Sequence, residues 1–111
     1  MKTGYYAVIF TSKRTADDEE AYSGMARNML DLAASQPGFL GVEHARDTTG
    51  ITISYWDSLK SISDWKAHSE HRIAQEYGRD KWYESYHIRI CRVEREYTFH
   101  KPDTPEPGHK K

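Results

Sequence analysis

Between Tyr55 and His87 the chain gathers the side chains best suited to chemistry: all three of its tryptophans, half of its eight tyrosines and half of its six histidines. Large flat rings with polar edges, beside imidazoles that titrate near neutrality, suit a pocket that holds an aromatic molecule and moves one of its protons. Within that stretch Trp65 offers a stacking surface, and His68 and His71 are the candidate bases. Trp65 fits a core wedge equally well, and a histidine pair at i, i+3 in a polar run also fits a solvated helix face. His68-x-x-His71 with Glu70 can be read as a metal pair, but zinc needs three or four ligands at defined spacing and no second Cys or His cluster completes the set. No metal is therefore expected. Later in the stretch His87 and Arg89 share one strand face and Tyr86 takes the other, so either an anion-binding Arg89 or a pocket-lining Tyr86 depends on register. His44 and Glu43 pose the same alternative on an earlier strand, where only one can face the interior.

Length and composition narrow the function classes. A chain of 111 residues makes one domain with a single core. Its formal charge is −1 and it has no basic block before the terminal lysines, which argues against nucleic acid as a partner. The apolar fraction of 37% is low for a small monomer and favours an oligomer that shares its core. A lone cysteine, Cys91, excludes an internal disulfide. Its apolar neighbours Ile90 and Val93 predict a packed thiol rather than a nucleophile. With no signal-like segment and no long apolar run, neither a membrane partner nor export is expected, and the protein is read as cytoplasmic.

The elements that must position these residues follow from periodicity. Tyr5 to Ser12 is a run of strand formers without a breaker. Acidic residues 17–20 favour a helix start, and Tyr22, Met25, Ala26, Met29, Leu32 and Ala33 repeat at helical spacing until Gln36-Pro37-Gly38 stops them. Phe39 to Arg46 alternates with a period of two, Asp47 to Gly50 turns the chain, and Ile51 to Trp56 returns as a hairpin partner. Asp57 or Ser58 can cap a second helix bearing Leu59, Ile62 and Trp65, whose imperfect continuation to Ile73 and Tyr77 predicts a kink or two short helices ending at Gly78. Trp82 and Tyr83 fall in a connector, and Glu84 to Phe99 reads as a long strand. The order β-α-β-β-α-β predicts an α+β, ferredoxin-like domain over residues 1–99, with a four-stranded antiparallel sheet and both helices on one face. The uncovered face calls for a second copy, and pairing two such sheets closes a barrel. Residues 100–111, rich in proline, form a tail without regular structure.

With that order in place, Gln36-Pro37-Gly38-Phe39-Leu40-Gly41-Val42-Glu43, then Ser54-Tyr55-Trp56, then Trp65-Lys66-Ala67-His68 resemble the antibiotic biosynthesis monooxygenase domain family over about residues 5–99. The resemblance implies a homodimeric α/β barrel with a pocket between sheet and helices in each subunit. In the family's cofactor-independent quinol oxygenases, a tryptophan on the second helix lines the pocket and an amide one turn earlier holds the substrate oxygen. Trp65 matches the tryptophan, and Ser61 stands where the amide would be. The heme-degrading branch adds an Asn on the first strand and an axial His farther along the second helical region. Tyr5 to Ser12 has no Asn, and Gln75 falls near the axial position. The expected protein is thus a small monooxygenase acting on an aromatic or quinol-like molecule and dioxygen without a bound cofactor. Heme binding and degradation, or a non-catalytic stress-response dimer that sequesters a small molecule, are the alternatives. Oxygenation without metal or flavin needs a base, an apolar slot and hydrogen bonds to the developing anion. The resemblance assigns these roles to His71 or His68 as base, Trp65 as stacking surface and Ser61 or Arg89 as the anion's partner. Tyr86 and His44 are further candidate substrate contacts, whose facing depends on strand register.

Overall fold

The computed structural model describes residues 4–16, 19–75 and 79–102. The elements follow one another as β1 (Tyr6–Arg14), α1 (Glu19–Ala34), β2 (Phe39–Arg46), β3 (Gly50–Trp56), α2 (Leu59–Gln75), α3 (Arg79–Trp82) and β4 (Tyr83–Arg92). The four strands form one antiparallel sheet in the order β2-β3-β1-β4. This is the α+β, ferredoxin-like arrangement expected from the element order, with the short α3 added.

Local chemistry explains where the elements begin and end. The backbone N–H of Ser61 donates to Ser58 Oγ at 3.1 Å, which makes Ser58 the residue that caps α2. Gly38 sits at φ +86°, a conformation in which a side chain would also collide with Ser61 and Asp57. Asp57 N–H donates to the Gly38 carbonyl at 2.9 Å, so the turn after α1 and the start of α2 are tied together.

Four expectations are corrected. α2 runs unbroken from Leu59 to Gln75. The segment has neither proline nor glycine, and the i, i+4 pairs Lys60–Asp64 and Lys66–Glu70 brace its exposed side. Gly78 lies outside the described residues. Trp82 is not in a loose connector but ends α3 with 1% of its surface exposed, and Thr15 holds that helix through Oγ1 to the Lys81 carbonyl at 2.6 Å. β4 stops at Arg92 rather than Phe99. Val93 still exchanges backbone hydrogen bonds with Gly4 and Tyr5, but among the described residues no strand lies alongside the chain beyond it, and Tyr97 and Phe99 are more than 80% exposed. Cys91, finally, is exposed, because it pairs in register with Ala7 on the sheet face without helices.

A bulge settles the facing of β2. Phe39 pairs with Trp56 and Gly41 with Tyr55, so Leu40 is the extra residue. Phe39 thereby joins Val42, His44 and Arg46 on the helix-covered face, which simple alternation would have denied it. The core lies there: Ala33 of α1, Trp56 of β3 and Ile62 of α2 are buried together, flanked by Tyr6, Val8, Phe39 and Trp65. Trp56 has no exposed surface, its ring meets Phe39 edge-on at 5.5 Å, and its Nε1 donates to Ser54 Oγ at 2.8 Å. Trp56→Ala is expected to cost about 3–5 kcal/mol, read from urea unfolding. A loss under about 1 kcal/mol would contradict this placement of the core.

The other face carries Tyr5, Ile9, Glu43, Ile51, Ile53, Tyr55 and Arg89, and among the described residues no helix lies above them. Tyr5 donates to Glu96 Oε1 at 2.9 Å and Tyr55 to Glu43 Oε1 at 2.8 Å, with the two rings 6.0 Å apart. The bond to Glu43 pushes Tyr55 from 10.0 up to about 12. A raised folded-state pKa means that this bond's stabilisation is whole below the ordinary tyrosine value and is lost as pH rises toward 12. Phenolate absorbance should therefore show a late-titrating tyrosine that Tyr55→Phe removes and Glu43→Gln returns toward 10. An unchanged titration in Glu43→Gln would refute the assignment.

Candidate functional site

Register builds the site row by row. On the helix-covered face of β2, β3 and β1, the aligned triplets are Val42–Ser54–Val8, His44–Thr52–Phe10 and Arg46–Gly50–Ser12. Above them α1 contributes Met25, Met29 and Ala33, with Tyr22 at the Arg46 end, while Trp65 and Ser69 of α2 close the opposite flank. These side chains line a half-open cavity of about 380 Å³, within the size range of sites for small molecules. Its walls are mainly aliphatic and aromatic, with a few polar groups at fixed places.

Three places carry chemistry. At one flank the Trp65 indole stacks on Trp56 with centroids 6.1 Å apart, and His68 approaches it at 5.8 Å. In the middle row His44 and Thr52 stand side by side on neighbouring strands, and His44 is exposed along the β2 side of the cavity. At the far end the Arg46 side chain crosses β3 and donates from Nη2 to Ser12 Oγ on β1 at 3.0 Å. Gly50 permits that crossing, since a Cβ there would collide with the guanidinium. Beside it the hydroxyls of Tyr22 and Tyr83 lie 3.5 Å apart. Burial, then the bond to Tyr22, pushes the Tyr83 pKa well up, so this phenol stays protonated through the physiological range. Arg14 lies 3.6 Å over the Tyr22 ring and pairs with Glu19 at 2.7 Å.

Of the residues singled out from sequence, Trp65 and His44 line the cavity. Tyr86 shares the same sheet face, opposite Ser12, but packs behind Phe10 and Tyr83 at 5.1 and 5.5 Å. His68 touches the site only through Trp65, and His71 is exposed farther along α2. Ser61 is occupied at the start of α2, donating to Asp57 Oδ1 at 2.9 Å and accepting from Ser58 at 3.0 Å. Arg89 pairs in register with Ile9, which places it on the face away from the cavity. His68, Glu70 and His71 find no further ligand: among the described residues no group of three or more His, Cys, Asp or Glu converges.

Sequence reasoning missed Arg46, Ser12, Tyr22 and Tyr83. For Arg46 a signal was available, because its parity on β2 matches that of His44. Ser12 likewise shares the parity of Val8 and Phe10. Nothing local marks Tyr83, whose place follows from α3 and the bend into β4.

Comparison with known proteins agrees with this architecture. Residues 5–77 match the antibiotic biosynthesis monooxygenase family. The uncharacterized protein YqjZ of Bacillus subtilis is 52% identical over 97 residues, covering 86% of this chain and 84% of that protein. The jasmonate monooxygenase ABM of Pyricularia oryzae is 29% identical over 92 residues, and the match spans 79% of this chain but only 43% of the fungal protein. Among solved structures, Rv0793 from Mycobacterium tuberculosis superposes with a TM-score of 0.70 at 11% identity, covering 85% of this chain and 99% of that one. SnoaB, a cofactor-independent oxygenase from Streptomyces nogalater, does so with 0.65 at 10% identity, covering 90% and 97%. At such identities the structures attest the fold alone, while the match over residues 5–77 makes the chain a member of the antibiotic biosynthesis monooxygenase family.

Proposed function

We propose that the protein is a small monooxygenase that oxidises an aromatic or otherwise unsaturated small molecule in this cavity with dioxygen and no bound cofactor. The observation that carries the reading is the presence of an imidazole, His44, and an indole, Trp65, in one largely apolar cavity of a family member. The relative named a jasmonate monooxygenase and the fold shared with a cofactor-independent oxygenase support it.

His44 is the proton acceptor in this scheme, Thr52 beside it a hydrogen-bond partner for the developing oxyanion, and Trp65 the wall against which the substrate lies. A CH2 group flanked by unsaturation gives up a proton to the imidazole. The resulting carbanion passes an electron to dioxygen, and the radical pair joins as a hydroperoxide. Loss of water then leaves a carbonyl. One oxygen atom stays in the product and the other leaves as water, with the substrate supplying every electron. Apolar walls favour dioxygen, which enters at the second step, and limit the water around the carbanion.

Oxygen uptake over a panel of quinols, phenols and anthrone-like ketones tests the reaction. His44→Gln is expected to lower kcat about 100-fold, more than His68→Gln or His71→Gln. A larger loss in either of the latter two would move the base out of the cavity. Trp65→Ala should raise KM more than it lowers kcat. Saturable binding without turnover of any panel member would replace the enzyme reading with a binding module.

The uncovered sheet face supports a homodimer, since Ile9, Ile51 and Ile53 present an apolar patch between the two Tyr–Glu pairs and the other strands. Sedimentation at micromolar concentration should give twice the chain mass, and Ile53→Glu should return it to the monomer. A native chain that sediments as a monomer would refute the dimer.

A further inference from the structure

We propose that the cavity selects an apolar molecule ending in a carboxylate, which Arg46 and Ser12 hold at the end farthest from Trp65. The proposal rests on this cavity being the ligand site, though not on the reaction carried out there. Arg46 is the reason. Among the described residues its guanidinium pairs with no carboxylate, and its hydrogen bond goes to a neutral hydroxyl, Ser12 Oγ, at 3.0 Å. The neighbouring Arg14 differs in kind, because Glu19 neutralises it at 2.7 Å. One cationic end therefore faces a cavity otherwise walled by Val8, Phe10, Met25, Met29 and Val42.

The geometry favours a singly charged, planar anion. A guanidinium presents a fork of parallel N–H donors that fits the two oxygens of a carboxylate, and one uncompensated cation balances one negative charge. A phosphate dianion would meet a single unpaired cation and leave one of its two charges unbalanced. The Tyr22 and Tyr83 hydroxyls add a donor. Whichever of them donates across their 3.5 Å separation, the other's proton is left for a ligand. Rows on one strand face are about 7 Å apart, so a carboxylate at the Arg46 row puts a carbon roughly that far away beside His44 and Thr52 in the next row. The acid end would thus set which carbon meets the base.

Calorimetric titration of the full chain with naphthylacetate, naphthylacetamide and naphthylmethyl phosphate tests this, as the three share an aromatic body and differ in the charge of the end group. The acid should bind about 10- to 100-fold tighter than its neutral amide, as expected for hydrogen bonds to a charged group, and tighter than the phosphate. Arg46→Gln should abolish the preference for acid over amide, Arg46→Lys should keep part of it, and Ser12→Ala should narrow it. Arg27→Gln, on the exposed side of α1, should leave it intact and so separate a local contact from general charge attraction. Equal binding of acid and amide, a preference that survives Arg46→Gln, or tighter binding of the phosphate would each overturn the proposal. Failure of all three to bind would overturn it together with the ligand-site reading. An acid preference in a chain that oxidises nothing would uphold it while the oxygenase reading falls.

Discussion

The pairing of β3 with β1 on one side and β2 on the other decides which side chains meet α1. Because side chains alternate along a strand, a slip of one residue in either pairing would exchange His44 for Glu43 or Ala45 and Thr52 for Ile51 or Ile53. Three features hold the alignment. The Asp57–Gly38 backbone bond fixes one end of the β2–β3 pair, the extra residue Leu40 sets the parity, and the Arg46–Ser12 bond fixes the other end. Cavity shape and the choice of polar groups within it both follow from this alignment.

The same face divides by chemistry along its length. Near Trp56 the interior is closed by large rings and by Ala33 and Ile62, and apolar burial is the main source of its cohesion. Toward Arg46 the elements are held by polar and ring contacts instead: Arg14 over Tyr22, Tyr22 against Trp82 and Tyr83, and Thr15 on α3. Space survives between these two regions because α1 presents the flexible side chains of Met25 and Met29 there rather than rings. Methionine adapts to ligands of differing outline at little cost, so the polar groups and not the walls would carry discrimination.

Much of this architecture was legible in the sequence. Strand formers, the helical repeat of Tyr22 to Ala33 and the Pro37-Gly38 stop gave the elements and their order, because those signals are local. Trp65 and His44 were found as site candidates for the same reason: one sits on a strong helical face, the other on a clean alternation. Arg89 and Tyr86 could not be assigned a face, since that depends on which residue of β1 each meets. Ser61 has the right spacing on its helix, yet its hydroxyl is taken up by Asp57 and Ser58 at the helix start, while the bare Gly38, some twenty residues earlier in sequence, leaves room for that cluster. α2 looked broken because its apolar repeat fades, whereas an exposed helix needs only good formers and paired charges to continue.

Arg46 and Gly50 close opposite ends of the same hairpin turn, and the arginine lies across the glycine to reach Ser12. The two positions are therefore sterically coupled. A side chain at Gly50 displaces the guanidinium, and a short side chain at Arg46 leaves Gly50 with no reason to stay bare. In descendants of this sequence the two should drift as a pair, a bulkier residue at the glycine going with loss of the cation and of the ligand preference proposed for it.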